Sequence, residues 1–223
     1  LVFNIIIFLA LSLVVIAAIV FINEATRRIP VLYAKRIKGN RMYQGATNFL
    51  PLKLNQAGVI PIIFAVSFVL FPQLIGNFLR YVKNPALSSV GIFLSTVFSP
   101  TGFFYNFFYF FLVIGFTYFY TIIVFNPLKI SEEIQKQGGF IPGIRPGLAT
   151  KQYLEKILYR ITTAGAIFLG VVAVMPVLFS KITGLTNLVI GGTGILIVVS
   201  VILETFKKVE SQLMMRNYDR FVK

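Results

Sequence analysis

The sequence contains neither cysteine nor histidine. The first absence excludes disulfides and thiolate metal sites, and it leaves compartment unreadable from redox chemistry. The second removes the commonest metal ligand and the usual general base. Acids are scarce as well: Glu24, Glu132, Glu133, Glu155, Glu204, Glu210 and Asp219 are the full set. There is no Gly-rich phosphate loop with its Lys-Ser/Thr pair, no His-Glu-x-x-His, and no nucleophile elbow with a histidine partner. These gaps argue against catalysis by this chain, including that of an intramembrane enzyme, and no cofactor or metal is expected.

What the chain has in excess is apolar surface. Of its 223 residues, 57% are hydrophobic and 13% charged, and the mean hydropathy is +0.84. A soluble domain is closer to half apolar and about a quarter charged, so the surplus calls for lipid as solvent. About 20 apolar residues, at 1.5 Å rise each, cross ~30 Å of hydrocarbon. Five runs reach that length, roughly 2–23, 57–79, 103–125, 161–180 and 188–206. A sixth patch, 86–98, is too short and carries Ser88, Ser89 and Ser95, which reads as interfacial or re-entrant. The second run is uncharged from Lys53 to Arg80 and holds Pro61 and Pro72. A membrane helix tolerates such prolines because neighbouring helices satisfy the freed carbonyls. The chain opens at Leu1 within an apolar run and without a basic n-region, unlike a signal peptide. The reading is a polypeptide cut or renumbered at the edge of a span, and so part of a functional unit.

Net charge is +14, and its distribution decides what it means. Seven basic residues fall in 24–53, six in 126–160 and five after Phe206, so eighteen of 21 share one side if the five spans hold. By the positive-inside rule that side is cytosolic, with the N-terminus outside and the C-terminus inside. The acids lie on the same side or at span ends. A charge at the bilayer centre costs at least ~2.5–3.5 kcal/mol and is kept for ion or proton handling, so the lack of one argues against a coupled pump. Polar side chains do enter the spans, at Ser12, Ser67, Thr117, Thr162, Thr163 and Ser200. Ordinary helix–helix hydrogen bonding accounts for them; the alternative is a polar seam that opens.

Segment 24–53 carries Arg27, Arg28, Lys35, Arg36, Lys38, Arg41 and Lys53, interleaved with Tyr33 and Tyr43. Fixing topology needs far fewer charges, and cations with stacking rings suit a phosphate-rich or acidic partner. Segment 126–160 contains Gly138-Gly-Phe-Ile-Pro-Gly-Ile-Arg-Pro-Gly147, whose four glycines and two prolines make a turn-dense finger. Its tip is expected to present Phe140, Ile141 and Arg145 to solvent, as a recognition element rather than a plain connector.

These loops and spans resemble the C-terminal half of SecY, the channel subunit of the protein-conducting translocon. The resemblance rests on Arg27-Arg-Ile-Pro-Val-x-Tyr-Ala-Lys-Arg36, Leu50-Pro-Leu-Lys-x-Asn-Gln-Ala-Gly-Val-Ile-Pro61, the finger above, Gly191-Gly-Thr193 and Glu210-Ser-Gln-Leu-Met214. It implies an all-α polytopic membrane protein whose five spans correspond to the family's sixth to tenth transmembrane helices, one half of the SecY clamshell. It further implies a channel that passes unfolded preproteins across the membrane and releases membrane segments laterally. Ile63 and Ile197 would then belong to the apolar pore ring, and Phe71 and Ser67 would lie close to the gate. An apolar collar offers a passing chain no hydrogen-bond partner, and when empty it dewets and blocks ions. The second and third spans would form this half's side of the lateral gate. Arg145 foremost, with Phe140, Ile141, Lys35, Arg36, Lys38 and Arg41, would dock a ribosome or the SecA motor. Implied partners are the N-terminal half of SecY, SecE-type and SecG-type subunits, a translocating preprotein and the bilayer of the inner (plasma) membrane or thylakoid.

The competing reading is a five-helix half of an inverted-repeat secondary transporter. That architecture expects broken helices with ion-liganding groups near the midplane. Pro61, Pro72 and Pro176 could break helices, but no mid-span acid accompanies them.

Overall fold

Inside a bilayer an uncharged run can pair its backbone amides only with its own carbonyls, so helix is the outcome. The structure, a computed structural model, describes residues 2–33, 36–38, 41–43, 47–100, 102–183, 194, 197–199, 201–203, 205–206 and 208–214. The first run forms α1 (Val2–Glu24), and the chain then turns into strands β1 (Thr26–Tyr33), β2 (Arg36–Lys38), β3 (Arg41–Tyr43) and β4 (Thr47–Lys53). Helices α2 (Ile60–Leu79), α3 (Pro85–Val97), α4 (Phe103–Val124) and α5 (Pro127–Lys136) follow, then a two-residue strand β5 (Gly139–Phe140) and the long α6 (Leu148–Thr183).

Among the described residues, three helical stretches are long and apolar enough to cross a membrane: Ile60–Leu79, Phe103–Lys136 and Leu148–Leu178. The second divides at Asn126, whose side chain accepts from the Leu128 and Lys129 amides and so starts α5 as a separate helix. Helix α1 has 23 residues and occupies the range where the first span is expected. The fifth expected span lies largely outside the described residues, as does the Gly191–Thr193 motif, although 197–199, 201–203 and 208–214 are helical.

The basic segment 24–53, expected as a loop, holds an antiparallel hairpin instead. Its register runs from Thr26 opposite Lys53 to Leu32 opposite Thr47. Ile29 and Val31 of β1 and Leu52 of β4 are buried, while Arg28 and Pro30 point outward, the period-two pattern of a half-buried strand. Pro30 and Pro51 are tolerated because β4 is an edge strand and β5 meets β1 only at Leu32 and Tyr33. Segment 126–160 is likewise more ordered than expected, holding α5, β5 and the start of α6. Helix α6 begins thirteen residues before its apolar run because Leu154, Ile157, Leu158 and Ile161 recur at helical spacing and bury beneath the sheet.

Two cores result. One joins Ile29, Val31 and Leu52 of the sheet to Phe125, Ile134, Ile141 and the first half of α6. The other joins Ile19 of α1, Ile62, Ala65 and Val69 of α2, Tyr105, Tyr109 and Val113 of α4, and Leu169, Val172 and Ala173 of α6. On α4 the buried stripe recurs every fourth residue, from Tyr105 to Thr121. Within it Thr117 Oγ1 donates to the Val113 carbonyl and Thr121 Oγ1 to the Thr117 carbonyl, so these hydroxyls are satisfied by their own helix. The expected hydrogen bonding between helices occurs at Tyr118, which meets Thr163 Oγ1. Pro61 stands in the first turn of α2, where its missing N–H costs nothing.

Helix α3 folds back on the end of α2 through glycines. A Cβ on Gly91 would lie 2.6 Å from the Arg80 nitrogen and 2.8 Å from the Gly76 carbonyl oxygen, so backbone rests on backbone. Gly91→Ala is therefore expected to push the helices apart and cost about 1–3 kcal/mol. Circular-dichroism melting of the detergent-solubilised chain should show a lower midpoint, and an unchanged midpoint would refute the contact.

Candidate functional site

At the sheet end the two polar segments meet. Leu32 pairs with Phe140 and Tyr33 with Gly139, which holds the Gly138–Gly147 finger against the hairpin. Three finger glycines have positive φ, Gly138 at 71°, Gly143 at 78° and Gly147 at 99°, a conformation that excludes most side chains. Gly139 serves differently: a Cβ there would meet the Tyr33 ring at 2.9 Å. The Ile144 amide donates to the Ile141 carbonyl, and Thr150 Oγ1 on α6 donates to the Arg145 carbonyl at 3.0 Å. The finger is thus tied at its base, its middle and its end.

Phe140 and Arg145 are exposed, as expected. Ile141 is not. It is 3% exposed and packs in the core with Ile29, Leu52 and Leu154, because the turn that projects Arg145 rolls Ile141 inward, where water is excluded. Arg36, Lys38 and Arg41 belong to the β2–β3 hairpin, with Lys38 opposite Arg41 at its end; Lys35 lies outside the described residues. Arg27, Arg28, Lys53, Lys156 and Arg160 are also exposed at this end. Two ion pairs are described, Lys136–Glu132 at 4.0 Å and Lys151–Glu155 at 3.5 Å, both one helical turn apart and worth little at such exposure.

Along α2 a second surface is left bare. Ile63, Ser67 and Phe71 recur at spacing four and are all exposed, while Ile62, Ala65 and Val69 face the core. Ser67 Oγ donates to the Ile63 carbonyl at 2.8 Å, so a hydroxyl on an apolar stripe presents no free proton. Phe64 and Phe68 brace this helix against Phe116 of α4, at ring distances of 5.9 and 5.2 Å. Ile197 is placed otherwise, half-buried against the apolar core rather than on the bare stripe.

One fixture of this region escaped the sequence reading. Asn55 is buried and its Nδ2 donates to Asn23 Oδ1 at 2.8 Å and to the Gly58 carbonyl at 3.2 Å, while the Leu54 amide bonds the Ala25 carbonyl. Helix α6 crosses directly over this turn, since a Cβ on Gly165 would lie 2.6 Å from the Leu54 oxygen. The clue was a lone Asn-Gln pair ahead of an apolar run.

The sequence matches the SecY family over residues 1–206. The chain belongs to the SecY family. It is 49% identical over 222 residues to the protein translocase subunit SecY of Mycobacterium tuberculosis, covering 96% of this chain and 50% of that one. Against SecY of Halalkalibacterium halodurans the identity is 47%, over 99% of this chain and 51% of the relative. Thermus thermophilus SecY gives 43%, over 96% and 48%. The chain therefore spans about half the length of the relatives it matches. Two solved structures share its fold. One, described by the role of the SecY plug domain in stabilising the closed channel, matches with a TM-score of 0.53 and 21% identity over 88% of this chain and 47% of its own. The other, described as a protein-conducting channel, gives 0.50 and 17% over 88% and 46%.

The finger's two neighbours should respond oppositely to truncation. Ile141→Ala empties a core position and should cost about 2–5 kcal/mol, whereas Phe140→Ala should stay within about 0.5 kcal/mol. Amide hydrogen exchange across residues 27–33 reads the difference: faster exchange in the first variant only is expected, and equal rates in both would contradict the burial described.

Proposed function

We propose that this chain supplies half of a protein-conducting channel, passing unfolded preproteins across a membrane and releasing apolar segments sideways into lipid. It does so without chemistry of its own, driven by a ribosome or SecA-type motor. The observation that carries the reading is the pairing of β1 with β5, which joins both cation-rich segments in one rigid surface. Membership in the SecY family directs that surface to translocation rather than to coupled transport of small solutes. Exposed Arg145, held from behind by Thr150, is the leading docking contact, with Phe140 beside it, the β2–β3 hairpin (Arg36, Lys38, Arg41) extending the footprint, and Lys35 as a further docking cation. Ile141 serves from the core, as the finger's anchor.

The bare stripe of α2 is the pore and gate side. Ile63 contributes to the apolar collar and Ser67 and Phe71 line the gate, with α2 and α4 as this half's gate helices. Ile197 joins the collar from the last helix. Completion requires the other half of SecY, and SecE-type and SecG-type subunits stand outside it, in an inner (plasma) or thylakoid membrane with the sheet end cytosolic.

Reversing one charge tests the docking surface. Arg145→Glu should reduce co-sedimentation of chain-containing membranes with ribosomes or motor roughly tenfold or more, with membrane insertion unchanged. Binding at the unmodified level would remove the docking role.

A further inference from the structure

A half-open cavity of about 80 Å³ lies where the end of α4, the start of α5 and the outer half of α6 converge, well above the ~10–15 Å³ that a single water requires. Tyr118, Tyr159, Glu155, Thr162, Phe125 and Leu158 are among the residues that line it. Among the described residues, no basic one lines it. The Tyr118 and Tyr159 rings stand 6.3 Å apart and tilted by 36°, and a cation held beside them lies within reach of cation–π attraction.

Position adds a second constraint. Along α6 the charges end at Arg160, and 161–180 is uncharged, so the water boundary falls inside this cavity. From Glu155 to Thr162 the helix descends about 10 Å. The anionic end is therefore outermost, the hydroxyls are deeper and the apolar wall is continuous with the span. That order is the complement of an amphiphile whose cationic group is its outermost part. Lys151 holds Glu155 at 3.5 Å, with both side chains about a third exposed. Such a pair is weak, so an incoming ammonium can compete for the carboxylate.

We propose that this cavity binds the primary ammonium of a zwitterionic phospholipid headgroup, with Glu155 as its counter-ion and Tyr118 and Tyr159 as its walls. The headgroup's remaining atoms leave through the open side towards the lipid.

Native mass spectrometry of the purified chain, released from micelles doped equally with phosphatidylethanolamine and phosphatidylglycerol, tests this. Phosphatidylethanolamine should be retained roughly fivefold or more over phosphatidylglycerol. Glu155→Gln should abolish the preference, while Lys156→Gln on the next position should keep it. Equal retention of the two lipids by the unmodified chain, or a preference undiminished in Glu155→Gln, would overturn the proposal. Because that variant could fail to fold, a second readout uses the unmodified chain: phosphatidylethanolamine should slow carbodiimide labelling of Glu155 and phosphatidylglycerol should not. Equal labelling under both lipids would also sink it.

Discussion

Leu154, Ile157, Leu158 and Ile161 form one stripe on α6, and its burial beneath β1 and β4 joins the two ends of the molecule. Each such side chain contributes about 1.5–3 kcal/mol on leaving water. Without that stripe the hairpin would be a two-stranded ribbon with nothing to lie on, and such ribbons are marginal alone. The same helix continues without a break to Leu169, Val172 and Ala173 in the apolar core. One rod thus belongs to two cores of different character, the outer one sheet on helix and the inner one helix on helix. The finger inherits its position from this arrangement, because Thr150 fixes Arg145 from the first turn of the rod.

The inner core is assembled from close backbone approaches. Gly165 lies under the Leu54 carbonyl, so α6 meets the turn before α2 backbone to backbone, and Gly170 makes room for the Phe110 ring of α4. Small residues at crossings are how helices associate where lipid is as apolar as leucine. The uncovered stripe of α2 differs in kind. It carries Ile63, Phe71 and Phe78 outward, with the Ser67 hydroxyl already spent on its own helix, and so presents apolar surface without a free hydrogen-bond donor.

How much of this was legible differed by element. Helices α2 and α4 coincide with their apolar runs because nothing but hydrophobicity specifies them. The start of α6 was hidden: residues 148–160 hold Lys151, Glu155, Lys156 and Arg160, and a window tuned to uncharged runs passes over an amphipathic face. The strands were hidden by the charges around them, although Ile29 and Val31 alternate with outward residues. Pro30 and Pro51 argued against strand, and only the short reach of β5 removes the objection. In the finger, sequence identified the glycines but not the direction of the turn. Ile141 and Ile144 sit three apart, one buried and one half-buried, and no local rule distinguishes that from two exposed residues beside an arginine.

The Gly76–Gly91 crossing has a mechanical corollary. Interfaces built from side chains absorb shear by changing rotamers, and packed helices slide past one another by that means. Here atoms of two main chains touch, and there is nothing between them to re-pack. Whatever rotation the outer end of α2 undergoes, α3 undergoes too, so the pair turns like a key with its bow rather than like two independent pins.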